Sequence, residues 1–210
     1  MTASIGAVVM AAGAGNRMGH RPKSLLLRDG EPLLLRQVRL LALASAAPIV
    51  VVLGHHQDAL LKVLQAAQTP FPQLHWTTNP APDDGPASSL RCGLAALPEA
   101  LDTIIVTLGD LPLVQAGDTE TLLAAWQQRA APIALVLPVH EQTPGHPLAF
   151  GTVVRAAVMQ GTTVRDWRRA HADQVQTLRV NHDRCTTDVD TPQALERLAR
   201  EHNVELSWLA

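Results

Sequence analysis

Five apolar, β-rich runs recur along the first two thirds of the chain: SIGAVVM (4–10), PIVVVLG (48–54), LHWTTN (74–79), DTIIVTLGD (102–110) and PIALVLP (132–138). None alternates strictly between apolar and polar residues, so none reads as a strand with one face in water. The stretches between them carry helical spacing. From Pro32 to Ala46 the leucines at 33, 34, 40, 41 and 43 and Val38 share broad faces, and 58–67 and 119–129 repeat the pattern. Strands buried on both sides and separated by helices predict an α/β fold, a three-layer α/β/α sandwich around a mainly parallel sheet.

Composition permits such a core, with 47% apolar and 17% charged residues in a chain of 210. No Pro/Gly/Ser-rich linker or shift in composition divides it, so a single domain over residues 1–210 is expected. Seventeen basic against nineteen acidic residues give a net charge of −2 without charge blocks. That balance argues against bulk attraction to nucleic acid or to an anionic membrane, so a bound anion must meet a local group of donors. The most apolar region, 33–53, is broken by Arg36, Gln37, Arg39 and Pro48 and falls short of the roughly 20 unbroken residues of a membrane span. The opening MTASIGAVVM lacks the basic flank of a signal peptide, and a cytoplasmic location is expected. Cys92 and Cys185 form no CxxC and read as reduced thiols.

A parallel sheet places ligand chemistry in the loops beyond the carboxyl ends of its strands. Three such loops carry unusual residues: AAGAGNRMGHRPKSLL (11–26), NPAPDDGPASSLRCGL (79–94) and GDLP (109–112). In the first, Gly13, Gly15 and Gly19 are spaced G-x-G-x-x-x-G, so the dinucleotide fingerprint fails at Met18; the P-loop fails because Pro22, not glycine, precedes Lys23. Glycines that let backbone N–H groups approach an anion, beside Arg17 and Lys23, still suit a polyphosphate. A glycine turn with solvated charges would use the same residues.

The first loop resembles the G-x-G-x-R-M-G-x-x-P-K signature of nucleotidyltransferases with a glycosyltransferase-A-like, Rossmann-like fold. The resemblance implies that Arg17 and Lys23 hold the phosphates of a nucleoside triphosphate, with Ala11, Ala12, Gly13 and Gly15 around the base and phosphates. NPAPDDGPASSLRCGL resembles the family's N-P…G-x-x-x-S-L-x-x-G segment, which implies nucleotide contacts from Asn79, Gly85, Ser88 and Ser89; proline and serine at a helix start are a rival explanation of the string without a ligand. Asp110 in GDLP and Asp190 in DVDTP correspond to the family's metal-binding carboxylates, so Arg17, Lys23 and Asp110 are the expected catalytic residues and Asp110 and Asp190 the expected Mg2+ ligands. Two carboxylates suit magnesium, which completes its octahedron with water and phosphate oxygens, although either aspartate could instead cap a turn. Thr191 and Pro192 look like a helix start, and Asp188, one step away, reads as a cap or hydrogen-bonding neighbour.

TPGHPLAF (143–150) resembles the G-H-P element of the molybdenum-cofactor branch, the MobA/MocA-like nucleotidyltransferases, and makes His146 the candidate acceptor contact. In GTTVRDWRRAH (161–171), Thr162 and Thr163 replace the branch's more acidic or glycine-rich residues, while Arg165, Arg168 and Arg169 remain available to an anionic acceptor or to solvent. His55, His56 and His182 adjoin no recognisable nucleophile and are assigned to surface loops without chemistry. The resemblance implies transfer of a nucleoside monophosphate to a phosphorylated acceptor, molybdopterin first, with release of pyrophosphate. Ala12, where guanylyl-transferring relatives have glycine, favours CTP over GTP. A molybdenum enzyme is a conceivable partner. Two rival readings are a sugar-phosphate or other small-phosphate nucleotidyltransferase, and a non-catalytic factor that inserts cofactor into a molybdenum enzyme.

Overall fold

All five apolar runs become strands of one sheet in the computed structural model, which describes residues 4–208. In chain order the strands are β1 (Ile5–Met10), β2 (Leu26–Arg28), β3 (Glu31–Pro32), β4 (Ile49–Leu53), β5 (Leu74–Thr78), β6 (Thr103–Leu108), β7 (Leu135–His140), β8 (Thr143–Pro144), β9 (Leu148–Phe150), β10 (Val175–Arg179) and β11 (Leu206–Trp208). The helices are α1 (Leu33–Leu43), α2 (Gln57–Ala67), α3 (Pro86–Ala95), α4 (Ala116–Gln128), α5 (Thr152–Met159), α6 (Val164–Ala170) and α7 (Pro192–Glu201). Two elements begin three residues away from the periodicity reading, and α1 ends at Leu43 rather than at Ala46. β7 begins at Leu135 because Ile133 N–H closes a turn onto Ala130 O (2.9 Å). α4 begins already at Ala116, where Gln115 and Asp118 form a reciprocal capping box.

The main sheet runs β10-β7-β9-β6-β1-β4-β5, with β8 attached to β7. β1 lies parallel to both β4 and β6, β4 to β5 and β7 to β10. β9 is antiparallel to β6 and β7 and separates them.

The period of two then sorts side chains onto two cores. Ala7, Val9, Val51 and Ile105 face α1, α2 and α4 through Leu34, Leu41, Leu60 and Trp126. Val8, Val50, Val52 and Ile104 face α3, α5 and α6 through Leu94, Val154 and Trp167. Both faces are therefore covered, which is why the runs are apolar throughout rather than alternating.

A third core lies beside the carboxyl ends of the strands. Met18, Leu26, Leu33, Leu113, Val189 and Leu198 are all buried there, with Leu206 and Trp208 packed against them. Its roof is a small antiparallel sheet, β11-β2-β3. Met18 follows Arg17, Leu113 lies just beyond Asp110 and Val189 precedes Asp190. One apolar cluster thus seats three chemistry-bearing segments from distant parts of the sequence.

The packing of α3 onto the sheet depends on Gly93, where an added Cβ would lie 2.6 Å from Val8 Cγ1 and 2.8 Å from Val52 Cγ2. Those valines belong to central strands and have little room to retreat. Gly93→Ala is expected to destabilise the fold by about 1–3 kcal/mol, as overpacking does, and urea unfolding will register it as a lower midpoint.

Candidate active site

The signature loop leaves the sheet where β1 is flanked by β4 and β6. Ala11 N–H donates to Val52 O (3.0 Å), and Gly109 N–H donates to Met10 O (2.8 Å). At Gly15 the backbone turns left-handed, with φ 64°, and the N–H groups of Met18 and His20 both donate to its carbonyl, at 2.9 and 3.1 Å. A side chain there would also run into Arg21 O. The resulting short turn, Asn16–Met18, exposes Arg17 and buries Met18. Ala11 and Ala12 are buried, and Ala12 packs so closely on Gly54 that a Cβ on the glycine would come within 2.8 Å of the alanine methyl.

His56 lies in the loop after β4 and anchors the signature loop. Its Nε2 lies 2.9 Å from Ala14 O, and since a carbonyl only accepts, that nitrogen carries the proton. His55 pairs with Asp83 (3.0 Å) and His182 with Arg184 (2.7 Å), so these too hold loops together.

The signature cations and the two aspartates meet. Lys23 Nζ stands 3.0 Å from Asp110 Oδ2 and 2.6 Å from Asp190 Oδ1, while Arg17 pairs with the other oxygen of Asp190. Burial opposes the charge on Lys23, but the carboxylates of Asp110 and Asp190 outweigh it and hold its pKa above the ordinary lysine value. Asp190 is likewise held low: burial works against its charge, and Lys23 and Arg17 more than offset that. Asp188 is pushed up by desolvation and then by the like charges of Asp190 and Asp110.

Oxygen atoms of two carboxylates thus converge on a single cationic centre. This donor set fits a hard divalent cation that draws its remaining ligands from water and phosphate. Among the described residues no cluster of three or more His, Cys, Asp or Glu side chains offers a closed metal site.

Two residues that the sequence showed only as interruptions of an apolar helix, Arg36 and Gln37, hold the Asp110 turn together with Arg28 of β2. Gln37, 2% exposed, donates from Nε2 to Leu111 O (2.9 Å) and accepts from Thr107 Oγ1 (3.2 Å). Arg28 donates to Pro112 O and Arg36 to Val114 O (2.8 Å). The signal was present as polar residues inside the α1 pattern, but only the fold reveals which carbonyls they serve. On the far side, Thr191 caps α7 by accepting from Ala194 N–H (3.1 Å), with Pro192 in the first turn.

The second loop is assembled from the expected residues in an unexpected way. Asn79, 3% exposed, donates to Ser88 Oγ (2.8 Å) and Ser89 Oγ (2.9 Å) and accepts from Ala81 N–H. Ser88 in turn donates to Gly85 O (2.8 Å). These side chains satisfy one another and fix the start of α3, while Gly85 faces open space.

Beyond them opens a cavity of about 670 Å3. Its floor is apolar, made by Met10, Leu90, Val106, Leu108 and Leu148, and Arg165, Arg168 and Arg169 of α6 stand on its wall. His146 lines it too, with Nδ1 3.3 Å from Val106 O. Burial lowers the His146 pKa, and the Val106 bond and the charge of Asp110 offset this only in part. The ring is therefore neutral, protonated on Nδ1, and its Nε2 is an acceptor. A cavity of similar size, about 700 Å3, is lined by Asp102, Trp126, Arg129 and Thr152 at the opposite ends of the strands and contains no signature residue.

Gln37→Leu keeps the volume of the side chain and removes both of its hydrogen bonds, leaving Leu111 O and the Thr107 hydroxyl unpaired. A loss of about 1–3 kcal/mol is expected for such groups. Chemical denaturation checks it; an unchanged stability would show that the Asp110 turn does not depend on this bridge.

The chain's likeness to known proteins runs over nearly the same span. A family model described as the MobA-like NTP transferase domain matches residues 7–178. The bifunctional protein GlmU of Mycobacterium sp. (strain KMS) is 28% identical over 200 residues, which is 94% of this chain but 39% of the relative, so the chain spans about two fifths of that protein. Rv0371c from Mycobacterium tuberculosis H37Rv superposes with a TM-score of 0.74 at 24% identity, covering 95% of this chain and 100% of the other. A structure of Rv0371c in complex with manganese gives 0.70 at 23%, covering 94% and 98%. A nucleotidyl transferase from Methanothermobacter thermautotroptrophicus gives 0.73 at 21%, covering 95% and 97%. The α/β sandwich is common to the solved structures, and with its model matched over most of the sequence, this chain belongs to the MobA-like NTP transferase domain family.

Proposed function

We propose that residues 1–210 form a single Mg2+-dependent nucleotidyltransferase domain that transfers CMP from CTP, in preference to GMP from GTP, to a phosphorylated acceptor, molybdopterin above others, and releases pyrophosphate. The observation that carries this reading is the convergence of Asp110 and Asp190 on the one cationic centre at Lys23, beside the glycine loop. Asp110 and Asp190 would hold the divalent cation, which supplies neutralisation of the phosphoryl oxygens; the manganese complex of Rv0371c accords with this. Arg17 and Lys23 exchange their carboxylate partners for triphosphate oxygens and stabilise the departing pyrophosphate. Gly13 and Gly15 keep the loop backbone close to the phosphates, and Gly85 borders the ribose.

An acceptor phosphate is already anionic and needs little help from a base, so the work of the site lies in bringing two anions together in line. Asn79, Ser88 and Ser89 serve the nucleotide indirectly, by fixing the turn that presents Gly85. The CTP preference rests on Ala12, whose methyl closes the wall beside Gly54 where a glycine in place of the alanine would leave room for a purine.

The acceptor reading rests on the cavity. Its apolar floor suits a flat ring better than a hydroxyl-rich sugar, the α6 arginines suit a phosphate, and neutral His146 can accept a hydrogen bond from a ring N–H. Among the described residues no helix is long and apolar enough to cross a membrane. Cys92 and Cys185 are free thiols, in keeping with a cytoplasmic setting.

Pyrophosphate release measured with each of four nucleoside triphosphates, with molybdopterin or a sugar phosphate as acceptor, tests the reading. Turnover should need CTP, molybdopterin and Mg2+ together. Asp110→Asn should lose about a thousand-fold in kcat, the order expected when several kcal/mol of charge stabilisation is removed, with its far-UV spectrum unchanged. Turnover only with the sugar phosphate would overturn the acceptor, a GTP preference the base, and retained turnover in the variant the metal assignment.

A further inference from the structure

Asp110 and Asp190 lie on segments from different halves of the chain, and one side chain touches the anchors of both. Asp118, in the first turn of α4, accepts from Gln115 N–H with Oδ2 (2.9 Å) and so closes the capping box that begins the helix just after the Asp110 turn. The same carboxylate receives Arg184 in a two-point fork, Nε to Oδ2 at 3.0 Å and Nη2 to Oδ1 at 2.7 Å. Its side chain is only 9% exposed, and burial works against its charge, yet Arg184 and the cap hold the carboxyl below its ordinary value.

Arg184 heads the segment that ends in Asp190. Its neighbour Cys185 accepts from His146 N–H (2.8 Å), and Thr186 and Thr187 fold back onto Asp183 O through their N–H groups and hydroxyls. Val189 then enters the third core. The segment leading to Asp190 is therefore held at Arg184, Cys185, Thr186, Thr187 and Val189, and a two-point arginine contact fixes direction as well as distance.

We propose that Asp118 and Arg184 form a positioning strut that couples the Asp110 turn to the Asp190 loop and sets the spacing at which the two carboxylates share a divalent cation. This rests on the reading of Asp110 and Asp190 as the metal carboxylates. Groups that orient metal ligands from outside change metal affinity by about 10–100-fold when altered. An ion pair that only stabilises the fold would move the melting temperature and leave the affinity of the folded protein where it was.

Binding of Mn2+ alone to the full chain, followed by electron paramagnetic resonance of the free ion, separates these cases. Arg184→Lys keeps the charge and loses the fork; Asp118→Asn keeps the shape and loses the charge. Both should bind Mn2+ about ten-fold more weakly than the parent protein while remaining folded. Leu64→Ala, a buried position on α2 far from the strut, serves as the destabilised control and should bind Mn2+ normally. Asp110→Asn should bind it poorly.

If Asp110→Asn loses Mn2+ while Arg184→Lys and Asp118→Asn keep it, the strut is overturned and the metal reading stands. If Leu64→Ala weakens binding as much as they do, the effect is general loss of stability and the strut is again overturned. If Asp110→Asn binds Mn2+ normally, the metal reading falls and takes the strut with it.

Discussion

Two carboxylates drawn together away from bulk water repel one another and each loses hydration, so neither Asp110 nor Asp190 could stand where it does without a positive charge between them. Lys23 supplies that charge within hydrogen-bonding reach of both, and Arg17 adds a second on the outer side of Asp190. The rest of the site is arranged around this neutralisation. The signature loop must bring its cations in, and the GDLP and DVDTP segments must bring their anions to meet them. Under the proposed function the pairing at each side chain survives substrate binding, because each group trades one partner of opposite sign for another: the aspartates exchange Lys23 and Arg17 for the metal, and the two cations exchange carboxylates for triphosphate oxygens.

Electrostatics alone does not place side chains to within a few tenths of an ångström. That task falls to the third core, where Met18, Leu113 and Val189 bury the residues next to the charged ones, and to a set of donors aimed at backbone carbonyls. Gln37, Arg36 and Arg28 occupy three carbonyls after Asp110, and His56 occupies one in the glycine loop. A site built on locked loops loses little freedom when a ligand arrives, which is the general advantage of preorganisation. The second loop follows the same logic, since Asn79, Ser88 and Ser89 spend their hydrogen bonds on each other to hold a turn open at Gly85.

How far the sequence disclosed this varies with the range of the interaction. Strands buried on both faces and the helices between them announced themselves through local periodicity, and Arg17, Lys23, Asp110 and Asp190 through short motifs, so the architecture and the charged cluster were legible. β9 was not: three residues are too few to show a period, and its antiparallel placement between β6 and β7 is decided by pairing across the sheet. The small sheet escaped for a related reason, because β2 pairs with β11 at the other end of the chain. Gln37 and Arg36 were visible only as polar intrusions in α1. Their partners lie some seventy residues onward, and no local pattern encodes that.

Under the proposed function, Lys23 and the two aspartates form one exchangeable ionic unit. A crystal structure of the protein with Mg2+ and CTP tests it most directly. The cation is expected on Asp110 and Asp190, with Lys23 and Arg17 turned onto triphosphate oxygens within hydrogen-bonding distance. A nucleotide bound elsewhere, with Lys23 still clasped between the two carboxylates, would contradict it.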